Sequence, residues 1–157
     1  MRLRRVAVAF AILATLLTAF LVLSGCGGGD SPTLLTDEDA AEYFGVPATH
    51  EGPSDAGALV DVTYTPADGT GQMIITSTLS KDSLDNFEAQ IKDEANALGI
   101  EPEKLEGLGE SAYFTASAVR FFKDGATYQV TASEPKNGQD LKTALISLAQ
   151  KMASRVP

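Results

Sequence analysis

Four pairs of adjacent apolar residues, Leu59-Val60, Ile74-Ile75, Tyr113-Phe114 and Phe121-Phe122, constrain this chain most. Each pair lies in a stretch that reads as a strand, where neighbouring side chains point to opposite faces, so each pair places apolar groups on both sides of a sheet. A sheet with one wet face would alternate strictly between apolar and polar positions. Both faces therefore need cover. The spacing predicts helices on both sides, an α/β/α sandwich, with the sharper alternative that one face keeps a groove for an apolar ligand or a partner segment.

The helices that supply this cover are legible from caps and periodicity. Thr36 is a suitable N-cap for a helix over residues 37 to 44; Asp37, Glu38 and Asp39 favour the positive end of its dipole, Ala40, Tyr43 and Phe44 give it an apolar face, and Gly45 and Pro47 end it. A second helix carries Leu84, Phe87, Ile91, Ala95 and Leu98 at steps of three and four, with Asp82 as cap and Gly99 as stop. A third runs from about Gln139 to Arg155 with Leu141, Leu145, Leu148 and Met152 on one face. Between them "ALVDVTYT" and "QMIITSTLS" form a hairpin through "PADGTG", and "AVRFF" and "TYQVTAS" form another around Asp124-Gly125. The segment "EPEKLEGLGESAYF" re-enters the sheet, and the Gly-, Pro- and Ser-rich stretch after Gly45 reads as a loop. The expected fold is α+β: an antiparallel sheet of about five strands with three helices, in the order α-β-β-α-β-β-β-α. A single domain over residues 36 to 157 accommodates it.

The first 25 residues do not belong to that domain. Three arginines precede 18 uncharged residues, "VAVAFAILATLLTAFLVL", and small residues follow, the layout of a secretory signal. The apolar run is also long enough to span a bilayer, so hydropathy leaves a cleaved signal and a retained anchor both open. In either case the arginines stay cytoplasmic and the remainder is exported. The exported part carries nine Lys/Arg against 21 Asp/Glu, a net charge of −12. That balance gives no electrostatic case for nucleic acid and repels anionic headgroups.

An exported chain usually pairs its cysteines, yet this one has a single cysteine. Leu23, Ser24, Gly25 and Cys26 follow directly on the apolar run, and all four match the lipobox of bacterial lipoproteins, which the N-terminus resembles. The resemblance implies cleavage between Gly25 and Cys26, a diacylglyceryl thioether on Cys26, and acylation of the new amino terminus. A single acyl chain binds a membrane only marginally, so two or three are needed for stable attachment. The resemblance places the protein in the bacterial cell envelope, on the outer face of the cell membrane or, in a two-membrane cell, on the outer membrane, because Gly27 is not the aspartate of the inner-membrane retention signal. Residues 26 to 35 then form a lipidated tether: "GGGDSP" cannot pack, and nine residues reach roughly 15–18 Å as random coil. The motif "LEGLGESAYF" resembles a "GlGd.Ayf" signature of small actinobacterial lipoproteins, some with a PsbP-like α/β/α fold, through Gly107, Leu108, Gly109, Ala112, Tyr113 and Phe114, with Glu110 in place of the usual Asp. That resemblance implies no catalytic residues.

Chemistry-bearing patterns are sparse. His50 is the only histidine and lies between two prolines, as an exposed loop residue. The acids Asp37 to Asp39 lack the spaced-oxygen loop of a calcium site. "GLGES" lacks the second glycine of a nucleophile elbow, and "GGG" precedes no strand or helix start. No catalytic residue, metal site or cofactor is expected. The function expected is a membrane-anchored, non-enzymatic binding module for an envelope protein or a small apolar ligand; the alternatives are a structural or assembly accessory of an envelope complex and, third, a small hydrolase.

Overall fold

A computed structural model describes residues 34–135 and 138–156. Three helices, α1 (Asp37–Phe44), α2 (Leu84–Leu98) and α3 (Leu141–Arg155), accompany seven strands: β1 (Ala48–Ala56), β2 (Leu59–Pro66), β3 (Ile74–Ser80), β4 (Glu103–Lys104), β5 (Ser111–Thr115), β6 (Ala118–Lys123) and β7 (Ala126–Ala132). All pairings are antiparallel, in the order β1-β2-β3-β7-β6-β5-β4. The chain makes one meander from β1 to β3, crosses the sheet through α2 to the far edge, and returns by a second meander that ends beside β3.

The α+β class and the three helices agree with the expectation; the strand number and order need correction. Five strands were expected and seven form, so the order becomes α-β-β-β-α-β-β-β-β-α. The expected loop after Gly45 is the edge strand β1. Its Pro53 is tolerated because an edge strand bonds a neighbour on one side only, and Gly52 and Pro53 bulge opposite Val62. Gly52 is required there: a Cβ would lie 2.8 Å from the Asp61 carbonyl oxygen. The other added strand, β4, is two residues long and closes the opposite edge on β5. The Asp124-Gly125 turn forms as expected, both residues with positive φ, the geometry that matches strand twist.

Burial separates the two faces. One carries Val62, Tyr64, Ile74, Val119, Phe121 and Val130 against α1 and α3, whose Tyr43, Phe44, Leu145, Leu148 and Met152 complete the main core. The other carries Phe122 and Tyr113 against Phe87 and Ile91 of α2. The Phe121-Phe122 and Tyr113-Phe114 pairs thus divide between the faces as the sequence demands. The helix starts conform to capping rules with one shift: α2 is capped by Ser83, which accepts from the Asn86 N–H, rather than by Asp82. Asp140 caps α3.

The "GLGES" segment serves the sheet. Leu108 is buried in the main core, Glu110 donates its N–H to the Phe122 carbonyl, and Gly109, at φ +66, brings its backbone so close that a Cβ would lie 2.3 Å from that carbonyl oxygen. Gly107 shares the positive φ but faces open space. Gly109→Ala should therefore cost about 3 kcal/mol, combining left-handed strain with overpacking, whereas Gly107→Ala should cost only about 1 kcal/mol. Urea denaturation of both variants measures this; equal losses would contradict the close-approach role.

Candidate functional site

The crossover helix α2 runs over β7, β6 and β5 to reach the far edge, so it covers only that half of its face. Its grip combines the small Phe87, Ile91, Phe122 cluster with three acidic latches. Asp82 accepts from Thr127 Oγ1 at 2.6 Å, Glu88 from Ser111 Oγ at 2.7 Å, and Glu94 from Thr115 Oγ1 at 3.4 Å while also pairing with Arg120. Burial alone would raise the Asp82 carboxyl, but hydrogen bonds from Asn86, Thr127 and Ser83 outweigh it and hold the group below its ordinary value. Leu84 and Leu98, expected on the buried stripe, are 37% and 56% exposed.

Where α2 ends its cover, a cleft of about 140 Å³ opens between helix and sheet. Phe87, Gln90 and Ile91 form the helix wall, and Leu59, Ser77 and Leu79 the side toward the uncovered strands. Thr127, Gln129 and Arg120 lie between them. The strand register explains this mixture. Leu59, Leu79, Thr127 and Phe122 share one rung across the sheet; the next rung on the same face is Ser54, Asp61, Ser77, Gln129, Arg120 and Tyr113. An apolar rung thus lies beside a polar one.

The polar rung holds enclosed atoms without partners. Among the described residues three buried side-chain polar atoms have no hydrogen-bond partner: Asp61 Oδ1, Gln72 Oε1 and Arg120 Nε. Two of the three stand on this rung, Arg120 in the lining of the cleft and Asp61 three strands from it. An enclosed donor or acceptor without a partner costs about 1–3 kcal/mol. Arg120 gives Nη1 to Glu94, so its charge is compensated, while its Nε is enclosed without a partner.

The charged cluster on the opposite face holds no such atom. Asp39 accepts from Thr36 N–H at 2.9 Å within a capping box, from Arg155 Nη1, and pairs with Lys151 at 3.3 Å; Lys151 also pairs with Glu42, and Arg155 donates to the Leu34 carbonyl at 2.9 Å. Burial would raise the Asp39 carboxyl, but the hydrogen bonds of Arg155, Thr36 and Lys151 outweigh it and hold the group well below the usual carboxylate range. Nearby Tyr64 donates to the Leu35 carbonyl at 2.7 Å, and burial pushes its hydroxyl up to about 12. A polar hollow of about 200 Å³ beside this cluster is lined by Asp39, Glu42, Lys151 and neighbours whose charges already meet one another. The cluster fastens α1 to α3.

The sequence-derived candidates fall as follows. Leu23, Ser24, Gly25 and Cys26 lie outside the described residues. His50 is exposed, as expected, but stands on β1 rather than in a loop, its Nδ1 2.7 Å from Asp37 Oδ1 and its ring tilted against Tyr64. Asp39 caps and clamps, Asp37 binds His50, and Asp37 to Asp39 do not converge on a common point as ligands. Among the described residues no three His, Cys, Asp or Glu side chains gather as a metal site, and no helix is long and apolar enough to cross a membrane. Sequence reasoning missed Arg120, Gln129, Ser77 and Asp61. The available signal was Arg120 itself, a charge between Val119 and Phe121 in an otherwise apolar strand.

Because Asp39 titrates lower in the folded chain than its ordinary value of about 3.9, its contribution is full above that pH and is lost as pH falls below about 4. Asp39→Asn should lower stability at neutral pH by about 2 kcal/mol, less than for a fully buried pair because both cations remain part-exposed, and should flatten the acid loss below pH 4. Urea denaturation across a pH series measures both; parallel pH profiles for the two chains would contradict the clamp.

Compared with known proteins, the chain matches no protein family, no curated protein and no solved structure.

Proposed function

We propose that this chain is an exported envelope lipoprotein whose domain is a non-enzymatic binding module held near the membrane by lipid on Cys26. The observation that carries the binding reading is the cleft beside α2, where an incompletely covered sheet face combines Leu79 and Ile91 with the polar side chains of Ser77, Gln90 and Gln129. Apolar surface with a few convergent polar groups is the usual composition of a binding site. The accessory role, as a member of an envelope complex that binds no small molecule, would fit a sheet covered on both faces, and half of this face is open.

The anchoring reading rests on the four lipobox residues and the apolar run before them. Leu23, Ser24 and Gly25 are read by the signal peptidase, Cys26 carries the lipid, and the Gly-rich residues after it tether the domain. Attachment by two or three acyl chains holds the protein to the membrane without spanning it. The charge of −12 keeps the domain itself off anionic headgroups, so the lipid alone holds it there.

Native mass spectrometry of the chain extracted from the envelope in non-ionic detergent tests both parts. The expected species begins at Cys26, carries the mass of a diacylglyceryl group and a further acyl chain, and retains a bound protein or small molecule. Cys26→Ala should yield only the unprocessed, unlipidated precursor. A mature species without lipid would overturn the anchor, and a lipidated species that carries neither a protein nor a small molecule would overturn the binding reading.

A further inference from the structure

We propose that the uncovered lane of the sheet over β1, β2 and β3, beside α2, seats an amphipathic helix of a basic partner protein. This inference rests on the binding-module reading above and names the chemistry of the partner.

The strand register defines the lane. Two residues beyond the polar rung, Glu51, Thr63, Ile75 and Thr131 stand on the same face. Thr63, Ile75 and Ser77 are part-exposed there, and Leu59 is 39% exposed. On the opposite face of these strands Val62, Tyr64 and Ile74 are sealed in the main core with α1 and α3. The same strands are thus dry on one side and open on the other.

The lane has the dimensions of a helix. Two inter-strand steps of about 4.8 Å separate β1 from β3, and the seven residues of β3 run roughly 20–24 Å. A helix about 10–12 Å across and about 14 residues long fills that strip. Its floor would be Leu59, Ile75 and Leu79, and its side wall α2. The cleft of about 140 Å³ is the seam between floor and wall, where Leu79 faces Phe87 and Ile91 and one apolar side chain of the occupant can seat.

Charge selects the occupant. Residues 48–80, which make β1 to β3 and their turns, carry Glu51, Asp55, Asp61 and Asp68 and no Lys or Arg. Among the described residues no cation pairs with Glu51 or Asp61, the two acids on this face, and Arg120, on the rung of Asp61, is taken by Glu94. The acids that fasten the other layer differ: Asp39 meets Lys151 and Arg155. Asp61 Oδ1 is enclosed, so this group attracts through space, whereas Glu51 is exposed and can meet a Lys or Arg directly. A helix with cations beside its apolar stripe supplies the missing charge. A second copy of this acidic domain, or an anionic lipid surface, meets repulsion instead.

The tether of the chain itself does not fill the lane. Leu34 and Leu35 are buried in the main core, and Arg155 of α3 holds the Leu34 carbonyl, so the chain enters the domain on the far side of the sheet. Residues 27 to 32, "GGGDSP", also bring no apolar side chain to the floor.

The test places a diazirine amino acid at position 63 or, as a control, at the exposed position 154 of α3, in the lipidated full chain within its native envelope. Both chains should unfold as cooperatively as the parent. Irradiation and sequencing of the joined peptides by mass spectrometry should show, from position 63 and not from 154, a partner segment richer in Lys and Arg than in acids, with apolar residues at steps of three and four. Glu51→Lys should lower that yield about fivefold, and Glu51→Gln by less. An acidic or non-amphipathic segment, a second copy, or a yield unchanged by Glu51→Lys would overturn the inference. A lipid or small-molecule adduct would also overturn it while leaving a binding module. No adduct above the level at 154, from position 63 or from position 77 in the cleft, would overturn both.

Discussion

The sheet has apolar residues on both faces, and the chain covers those faces unequally. Two helices, α1 and α3, share one side, where Tyr64, Phe121 and Val130 are sealed from water. A single crossover helix serves the other. Because β3 lies third in the sheet and β4 at its far edge, α2 must pass over β7, β6 and β5, and it cannot also reach β1 and β2. The open half-face is therefore a consequence of topology, and the cleft lies at its boundary.

The two sides are held by different means. On the first, a large apolar core is fastened at its rim by Asp39, whose carboxylate joins the start of α1 to two cations of α3. On the second, a cluster of three buried side chains is supplemented by Asp82, Glu88 and Glu94, each anchored to a hydroxyl of the sheet. The second arrangement buries less apolar area and leans on polar contacts. It leaves the wall of the cleft the less deeply anchored layer of the domain, a property common in elements that receive ligands.

Much of this was legible in the sequence wherever local physics decides. Thr36, Gly45, Gly99 and Asp124-Gly125 mark their caps and turn correctly because the backbone at those points depends on near neighbours. Phe121-Phe122 announced the two-sided sheet. What depends on distant pairing was hidden: β1 looks like a loop because Gly52 and Pro53 interrupt it, and only β2 makes it a strand. The stripe on α2 predicted burial for Leu84 and Leu98, which periodicity alone cannot guarantee. The cleft was foreseen only as a groove on one face. Its residues come from β2, β3, β6, β7 and α2, and their meeting is fixed by register, which no local spacing encodes.

The central claim is that α2 covers one half of its sheet face and leaves the other accessible. Two serines on that face allow an isosteric comparison: Ser77 at the open cleft, and Ser111 beneath α2, bonded to Glu88. In a Cys26→Ala background, Ser77→Cys and Ser111→Cys each give a chain with one thiol. Maleimide labelling of the folded chains should modify Cys at position 77 at least about tenfold faster than at 111, because reagent reaches the covered site only when α2 opens. Equal rates at the two positions would contradict the unequal cover on which the site depends.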